Sequence, residues 1–435
     1  MDFELPYRKP HEKGGTPDRE FFTFPDPGLL PEELTYVPGF INELTGWTME
    51  MSQSPHRVIA FVGALMMLAH LTGRSYTDTH GTHTNLYMIL LGESGIGKEA
   101  PRKTNMRIAD KVGFSQSVAS SFPSGPAMEE ALVECPSILL QTDEVEVFFG
   151  RLRNSKGALG ASISERLRTL FTSSGSKYIV RGKVGESLGA QILYPHLSLF
   201  GTGTTKAFLD AMTPEEVHDG LFGRCLVIPV EDLYVSQDVS AYETLPDNVV
   251  ATAQMLADRE KAAIECGCFG ITDVGETEDA TQAFAEVREK TMELRRAFSE
   301  MDMPIARATV VRMNEKIAKL ALLYAISEDS RSPKISRAAV EWATKFVVHV
   351  TRWMLFEGQF HASEGRFGSL KDRALASIAR AGGAIDRRSW IRSLGCDATT
   401  FARLVKTLLL TEDIDSPEYV DGRLVYRLRS GRGER

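Results

Sequence analysis

A short apolar run that leads directly into a glycine-rich loop limits the folds open to this chain more than any other feature. Residues 86–91 (LYMILL) are continuously apolar, which predicts a strand buried on both faces, as in a parallel sheet. The next eight residues, 92–99 (GESGIGKE), match the pattern G-x-x-x-x-G-K. Pro101 suits the first turn of a following helix, because that position does not need the N–H that proline lacks. Strand, glycine loop and helix thus follow in the order of a phosphate-binding loop.

The residue types in this loop suit a polyphosphate. Glycines allow successive backbone N–H groups to converge on phosphate oxygens, and Lys98 brings a positive charge to them at a helix N-terminus. A glycine-rich turn without a ligand is the alternative, because glycine makes up 36 of the 435 residues and the pattern can arise by chance. With ATP as the ligand, the predicted contacts are Gly92, Glu93, Ser94, Gly95, Ile96, Gly97, Lys98 and Glu99.

One loop position departs from the pattern. The residue after the lysine is normally Ser or Thr, whose hydroxyl binds Mg²⁺, and here it is Glu99. A carboxylate is a good ligand for Mg²⁺ and is favourable at a helix N-terminus, but it adds negative charge beside the phosphates. We predict that Glu99 binds Mg²⁺ directly or through water.

Two carboxylates follow the second apolar run. Residues 137–141 (SILLQ) predict another buried strand, and Asp143 and Glu144 come directly after it. Hydrolysis of a nucleoside triphosphate needs a metal ligand and an oriented water molecule. Asp143 would therefore hold the water shell of Mg²⁺, and Glu144 would be the general base. We expect this strand to lie beside the strand that precedes the glycine loop; a solvated acidic loop is the alternative.

A polar segment follows the next predicted strand. Residues 196–201 (HLSLFG) are followed by Thr202-Gly203-Thr204. ATPases with such a loop place a polar side chain at this position, against the terminal phosphate or the attacking water. Thr202 is the preferred residue and Thr204 the second choice, although threonines can also simply end a strand.

Two arginines are further candidates for contacts with ATP. Arg224 precedes the last predicted strand and could reach the terminal phosphate bound by a neighbouring subunit, as an arginine finger does. Arg312 lies near the start of an amphipathic helix that could close over the nucleotide as a lid. A surface arginine in a salt bridge is the plain alternative for Arg224.

The order of elements divides the chain into five parts. Apolar runs alternate with helical segments in the middle of the chain, and from 233 to 362 the strand signal disappears and the spacing is helical. Residues 34–71 also have helical spacing. The predicted parts are an arm or linker (1–35), an N-terminal helical segment (36–75), the ATPase core (76–232), a helical lid (233–362) and a C-terminal domain (363–435).

Basic residues within the core suggest a contact with nucleic acid. Residues 176–183 (SKYIVRGK) predict a hairpin with basic residues at alternating positions. In ring-shaped motors such an insertion grips the phosphate backbone of single-stranded DNA. Lys177, Arg181 and Lys183 are the candidates, against the alternative of a solvated hairpin.

The C-terminal segment predicts a winged helix. Three helical patterns precede two alternating apolar runs separated by Asp421-Gly422, which is a strong hairpin signal. Residues 363–435 carry a net charge of +4, against −12 for the rest of the chain. The third helix would present Thr399, Thr400, Arg403 and Lys406 to DNA. A protein-docking module is the alternative.

Composition excludes several classes of protein. The net charge of −8 excludes a uniformly basic nucleic-acid coat, so a contact with DNA must be local. Five scattered cysteines are too few to cross-link a chain of 435 residues, which suits a reducing cytoplasm. The longest apolar stretch, 58–71, is shorter than the ~20 residues that cross a bilayer. The acidic, proline-containing N-terminus carries no secretory signal. We therefore expect a cytoplasmic protein without a membrane contact.

Together these segments resemble the P-loop helicase-like ATPases of phages, prophages and mobile elements. That family is described as a domain of unknown function and is often fused to primases. The likeness spans residues 30–350, and only its glycine loop is highly specific. The segments that carry it are LPEEL (30–34), LYMILLGESGIGKEAPRK (86–103), SILLQTDE (137–144), YIVRGKV (178–184), HLSLFGTGT (196–204), DGLFGR (219–224), MNEKIAKLALLYAI (313–326) and AVEWA (339–343).

The resemblance implies an α/β, RecA-like or AAA-type ATPase with Mg²⁺ as cofactor, in which Lys98, Asp143 and Glu144 carry binding and hydrolysis. It implies a replicative DNA helicase whose partners are single-stranded or forked DNA and further copies of the chain in a hexameric ring. Because no zinc-binding primase segment is visible, priming would come from a separate protein. The alternative is a nucleotide-gated initiator or helicase loader that binds DNA without processive unwinding, and a small-molecule kinase is a more distant one.

Overall fold

The chain divides into two compact units, with the division between Leu355 and Phe356. The structure is a computed structural model. Among the described residues, no helix is long and apolar enough to cross a membrane. The described residues are 24–154, 158–180, 189–211, 220–239, 244–266, 270–301, 303–361, 366–394, 396, 398–410, 413–420 and 422–429.

The strands of the described residues are short, and most of the longer ones lie in the first unit. The strands are β1 (Tyr76–Asp78), β2 (Tyr87–Leu91), β3 (Val118–Ala119), β4 (Ser137–Thr142), β5 (Lys177–Ile179), β6 (Gln191–Leu193), β7 (His196–Gly203), β8 (Cys225–Pro229), β9 (Thr272–Val274), β10 (Ala384–Asp386), β11 (Glu418–Val420) and β12 (Arg423–Arg427). Four of them, β2, β4, β7 and β8, lie on the apolar runs that predicted strands, at residues 86–91, 137–141, 196–201 and 224–230.

Helices make up most of the remaining described chain. The three longest helices of the described residues, with 19, 23 and 25 residues, lie after residue 245, where the spacing of apolar residues predicts helices. The helices are α1 (Phe40–Glu50), α2 (Arg57–Leu71), α3 (Glu99–Val112), α4 (Gly125–Glu134), α5 (Val145–Asn154), α6 (Ala158–Ser173), α7 (Thr205–Ala211), α8 (Asp247–Glu265), α9 (Glu278–Glu300), α10 (Pro304–Val311), α11 (Met313–Glu328), α12 (Arg337–His361), α13 (Arg366–Arg380), α14 (Arg387–Leu394) and α15 (Ala398–Leu410).

A five-stranded, all-parallel sheet forms the centre of the first unit. Its strand order is β3-β4-β7-β2-β8. Every residue of β2, β4 and β7 is buried, which explains why these strands are apolar without alternation. The prediction of a parallel-sheet α/β core is therefore confirmed. We call the side where β2, β4, β7 and β8 end the carboxyl edge, and the side where they begin the amino edge.

The strand order corrects one expectation. We expected β4, which precedes the acidic pair, to lie beside β2, and this is wrong because β7 lies between them. Apolar patterns identify buried strands but carry no information about their order in a sheet. The ends of the three strands nevertheless meet, since Leu91 is paired with Gly203 and Thr142 with Gly201.

Helices cover both faces of this sheet. The core cluster that contains Ile89 and Leu91 is completed by apolar residues of α5 and α6. On the other face, α2 lies against β2, β4 and β7, and 14 of its 15 residues are buried. Residues 51–56 separate α1 from α2, so the helical spacing of residues 34–71 corresponds to two helices and a turn.

A second small sheet corrects the description of the helical block. β9, in the segment where no strand signal was found, pairs in parallel with β1. Both strands have only three residues, which is too short for a periodic pattern to be recognised. The pairing connects the segment before β2 to the segment after α8.

The described residues of the second unit include the helices α13, α14 and α15 and an antiparallel sheet of three strands, in the order β10-β12-β11. Its mainly aliphatic core contains three aromatic rings: the Trp390 ring lies 5.3 Å from the Phe401 ring and 4.8 Å from the Tyr426 ring. Gly422 adopts a φ of 76° between β11 and β12. The three helices and the hairpin are confirmed, and β10 is an element that the sequence did not predict.

Candidate functional site

The glycine loop lies at the carboxyl edge, and its turns use backbone angles that suit glycine. Gly95 and Gly97 have φ values of 89° and 84°, which other residues rarely adopt. A Cβ on Gly97 would lie 2.5 Å from the Ser54 carbonyl oxygen, so the loop passes directly over the turn between α1 and α2. Glycine at this position is therefore required by both backbone angle and space.

The turn beneath the loop is itself tied down. The Ser54 hydroxyl donates to the Gly95 carbonyl at 3.2 Å, and the Ser52 hydroxyl donates to the Ser54 carbonyl at 2.9 Å. From the segment after β8, the Gln237 amide donates to the carbonyls of Met49 and Ser52, at 2.8 and 2.9 Å. Sequence analysis missed this support, because nothing in the local pattern links these distant segments.

Lys98 connects the ends of two strands. Its ammonium donates to the Gly92 carbonyl and, at 2.8 Å, to the Gly203 carbonyl. Partial burial lowers the pKa of Lys98, and the nearby carboxylates of Asp143 and Glu146 oppose that effect. Since both acceptors are carbonyls at the open edge of the sheet, an anion could replace them as the partner of the ammonium.

Asp143 is the most densely bonded group at this edge. One of its carboxylate oxygens accepts a hydrogen bond from the Thr202 hydroxyl at 2.8 Å, and the other accepts one from Arg102 at 2.6 Å. Burial alone would raise the pKa of Asp143, but the hydrogen bonds from Thr202 and Arg102 outweigh it and hold the pKa below its ordinary value. The carboxylate is therefore ionised, and its side chain remains 55% exposed.

Glu144 has an unusual backbone. Its φ is 47°, the left-handed region that a non-glycine residue seldom adopts. The Glu144 amide donates to the Asp143 carboxylate at 3.0 Å, and its carbonyl accepts the Val147 amide at 2.7 Å, which begins α5. Strain of this kind is concentrated at functional sites in proteins. The residue is exposed, next to Asp143.

The two threonines at the end of β7 occupy different positions. Thr202 is buried and directs its hydroxyl to Asp143, whereas the Thr204 carbonyl accepts the Phe208 amide at the start of α7. The structure thus brings Thr202, the preferred residue, to the acidic group. Thr204 contributes its backbone to a helix start.

Arg102 is a site residue that sequence analysis missed. It lies on α3, four positions after Lys98, and its side chain is 22% exposed in the ion pair with Asp143. Positions four apart on a helix share a face, which could have identified it as a neighbour of the loop lysine. The ion pair neutralises the carboxylate to which we assigned the metal.

Glu99 lies in a different environment that is about as exposed as that of Asp143. Its carboxylate is 52% exposed and lies 3.8 Å from the Lys103 ammonium, which is itself 73% exposed. Such a pair is weak in water. Glu99 is therefore accessible to a hydrated cation, although the structure does not bring it into contact with Asp143.

Arg224 and Arg312 lie at the amino edge, away from the loop of their own chain. Arg224 precedes β8, whose first residue is paired with Tyr87, the first residue of β2. The Arg224 guanidinium donates to the Gly220 carbonyl at 2.8 Å, and burial followed by the charge of Arg312 lowers its pKa. The five residues of β2 span about 16 Å, which separates both arginines from the loop. A lid contact by Arg312 within one subunit is not supported by this position.

The predicted DNA contacts are only partly described. Lys177 is exposed on β5, which pairs with β6 in an antiparallel hairpin, while Arg181 and Lys183 lie outside the described residues. Tyr178 anchors β5 to the core, since its hydroxyl donates to Glu129 at 2.5 Å. The two paired strands extend from Lys177 to Leu193, so the hairpin is longer than the predicted residues 176–183.

The third helix of the second unit has one apolar and one polar face. Phe401, Leu404 and Leu408 are buried in the core of the second unit. Arg403 and Lys406 are exposed. Of the other two predicted contacts, Thr399 is exposed and Thr400 is half-buried.

The carboxyl edge thus combines a glycine loop, an ammonium that bridges strand ends and a carboxylate held by a hydroxyl and a guanidinium. These groups fit a magnesium nucleotide, because the ammonium and the loop N–H groups suit phosphate oxygens and the exposed carboxylates suit Mg²⁺. No protein-family model matches this sequence, and no curated protein matches it. The site must accordingly be interpreted from its own chemistry.

Proposed function

We propose that the protein is an ATPase of the P-loop class, with a RecA-like or AAA-type core. One observation carries the proposal: Lys98, Asp143 and Thr202, which come from three separate segments, meet at the carboxyl edge beside a glycine loop. Ligands of parallel α/β sheets bind at this edge. The convergence of these groups supports a ligand site at the loop.

The residues of the edge have distinct roles in this proposal. Lys98 exchanges its carbonyl partners for the β- and γ-phosphate oxygens, and the loop N–H groups orient the same phosphates. Asp143 and Glu99 are the residues that would hold Mg²⁺. Bound there, Mg²⁺ would neutralise charge on the β- and γ-phosphates. Thr202 fixes the orientation of Asp143, and a carboxylate of the acidic segment takes the proton of the attacking water.

We further propose that hydrolysis drives work on DNA, as in a replicative helicase of a phage or mobile element in the bacterial cytoplasm. The exposed Lys177 and the polar face of α15 with Arg403 and Lys406 support a contact with the phosphate backbone. The second unit would act as a winged helix. Single-stranded or forked DNA is the proposed substrate, and a separate primase or initiator would be a partner.

The positions of the arginines favour an assembly of several subunits. Arg224 and Arg312 lie at the edge opposite the loop of their own chain, so a nucleotide contact by either arginine would have to come from a neighbouring subunit. A ring, proposed here as a hexamer, supplies such a neighbour at every interface. Arg224 is then the arginine finger.

The test is steady-state ATP hydrolysis by the full chain with and without single-stranded DNA, together with the oligomer size. We expect hydrolysis that DNA stimulates several-fold and that Arg224→Ala reduces in the assembled protein. ATP-dependent separation of a forked duplex would support the motor. DNA binding without stimulation or strand separation would favour the initiator or loader, and failure to bind ATP would overturn both.

A further inference from the structure

Glu146 adds a carboxylate to the carboxyl edge beyond those of Asp143 and Glu144. It is the second residue of α5, and its Oε2 atom is buried without a hydrogen-bond donor among the described residues. The same oxygen occupies the space where a Cβ on Gly203 would lie, well inside van der Waals contact. Gly203 is the last residue of β7, and its carbonyl accepts the Lys98 ammonium.

A buried carboxylate oxygen without a donor requires a physical explanation. Leaving such an atom unpaired costs its full desolvation free energy, so native proteins supply a partner from the chain, from water or from a ligand. Within the described residues this oxygen accepts no hydrogen bond from Lys98, which donates to two carbonyls, or from Arg102, which donates to Asp143 and has a buried Nε that also lacks a partner. A water molecule in the site would supply the donor that Oε2 lacks.

We propose that Glu146 binds the water molecule that attacks the terminal phosphate and removes its proton. This inference rests on the proposed ATPase activity. The water oxygen forms a bond to the γ-phosphorus, the bond from that phosphorus to the bridging oxygen breaks, and ADP leaves. The proton of the water passes to Glu146 Oε2. Lys98 donates to the carbonyl of Gly203, the residue against which the Glu146 carboxylate packs. The same ammonium holds the terminal phosphate close to this water.

The geometry favours Glu146 over Glu144 for this step. Glu144 lies before α5 with a left-handed backbone, whereas Glu146 is the second residue of the helix, so the two carboxylates do not occupy equivalent positions. Glu144 is exposed, whereas the Glu146 oxygen is buried beside Gly203. A base that is shielded from solvent and lacks another donor is better placed to orient a single water. Glu144 then serves the exposed side of Asp143.

Glycine at position 203 is part of the same arrangement. A side chain there would displace the carboxylate of Glu146 and would also contact Val145, whose Cγ1 lies 3.0 Å from the Cβ position. Gly203→Ala should therefore expel the carboxylate without altering its chemistry. This provides a second way to test the position of Glu146.

The kinetic test compares Glu146→Gln, Glu144→Gln and, as a matched control, Glu293→Gln on the exposed side of α9. We expect Glu146→Gln to lower kcat about 10²-fold or more, to leave the affinity for a fluorescent ATP analogue within about two-fold and to remove the acidic limb of the pH–rate profile. Glu144→Gln should retain that limb. If Glu144→Gln abolishes hydrolysis while Glu146→Gln retains it with its acidic limb, the proposal is overturned.

The structural test measures melting temperatures and does not depend on hydrolysis. Gly203→Ala should lower the melting temperature of the otherwise native chain by about 5 °C, and by much less in a Glu146→Ala background, because the clashing atoms are then absent. Additive shifts would show that Glu146 does not occupy this space and would overturn the inference alone. Native protein that neither binds nor hydrolyses ATP would overturn the proposed function, and the inference with it.

Discussion

The two edges of the five-stranded sheet both carry lysines and carboxylates, but they hold these groups in opposite ways. At the amino edge, the fully buried Lys316 donates to the Cys225 carbonyl at 2.8 Å, and the fully buried Lys319 donates to the Asn85 side chain at 2.5 Å. At the carboxyl edge, Lys98 is half-buried and Asp143 is 55% exposed. The amino edge holds charge inside the protein, and the carboxyl edge leaves it open to solvent.

This difference separates groups that stabilise the fold from groups that can bind a ligand. Burial lowers the pKa of Lys316 and of Lys319 to about 8, so each ammonium depends on its fixed acceptors. The partners of Lys98 are backbone carbonyls that water can also satisfy. The same residue type therefore has a structural role at one edge and an exchangeable one at the other.

The largest effect is expected from removal of the loop lysine. Lys98→Ala should lower the rate of ATP hydrolysis about 10³-fold, because the ammonium that offsets the negative charge of the terminal phosphates is lost, and should change the melting temperature by less than about 2 °C. Turnover and calorimetry on the same preparation measure both quantities. A large fall in melting temperature would mean that Lys98 is structural, and the contrast between the edges would disappear.

The reverse pattern is expected at the amino edge. Lys319→Ala should lower the free energy of unfolding by about 4 kcal/mol, because it leaves the buried Asn85 and His83 acceptors without their donor. Hydrolysis per folded molecule should change less than about two-fold. Lys345→Ala, at an exposed position of α12, is the matched control and should alter neither quantity. Loss of turnover in folded Lys319→Ala would contradict the division.

A buried carboxylate at the amino edge gives a prediction about pH. Glu260 accepts the Arg74 amide at 2.8 Å, and burial raises its pKa to about 7 from the ordinary 4.5. Because the folded pKa is the higher one, Glu260 contributes stability below pH 4.5 that is lost as pH rises to 7. Relative to Glu260→Gln, the native chain should lose about 3 kcal/mol of unfolding free energy across that interval.

Denaturant titrations of both chains at pH 4.5 and 7.5 measure this difference. The comparison between chains cancels the titration of the buried histidines, which the two proteins share. An unchanged difference in unfolding free energy at the two pH values would show that Glu260 is not desolvated. The hydrolysis rate at pH 7.5 should be the same in both chains, because Glu260 lies at the edge opposite the loop.

The sequence predicted the carboxyl edge better than the amino edge, for physical reasons. The ends of β2, β4 and β7 could be located because strands buried on both faces are continuously apolar, and polar residues directly after them stand out. Lys316 and Lys319 had the spacing of an ordinary amphipathic helix. Their burial depends on carbonyls and an amide contributed by residues more than 90 positions away.

Contacts between segments are what the sequence could not provide. Three contacts could not be predicted although the helix or loop pattern of their segments was ordinary: those of Arg102, Glu146 and Gln237. Their roles depend on how those segments are oriented against the sheet. The order of β4, β7 and β2 was mispredicted for the same reason. A pattern in one segment indicates which apolar residues are buried, and only the packed structure specifies what they contact.

The smallest effect is expected at Arg102. Its guanidinium already pairs with a carboxylate at the carboxyl edge, as the buried groups of the amino edge are paired. Its ion pair with Asp143 occupies a carboxylate oxygen that we assign to a metal. Arg102→Ala should therefore tighten Mn²⁺ binding in the absence of nucleotide by about three- to five-fold, as measured by titration calorimetry. Lys103→Ala, which removes an exposed charge one position further along α3, controls for the general loss of positive charge. If Mn²⁺ binds more weakly to Arg102→Ala than to the Lys103→Ala control, Arg102 helps to position the metal and does not compete with it for Asp143. The ion pair between Arg102 and Asp143 would then leave the carboxyl edge open to a metal.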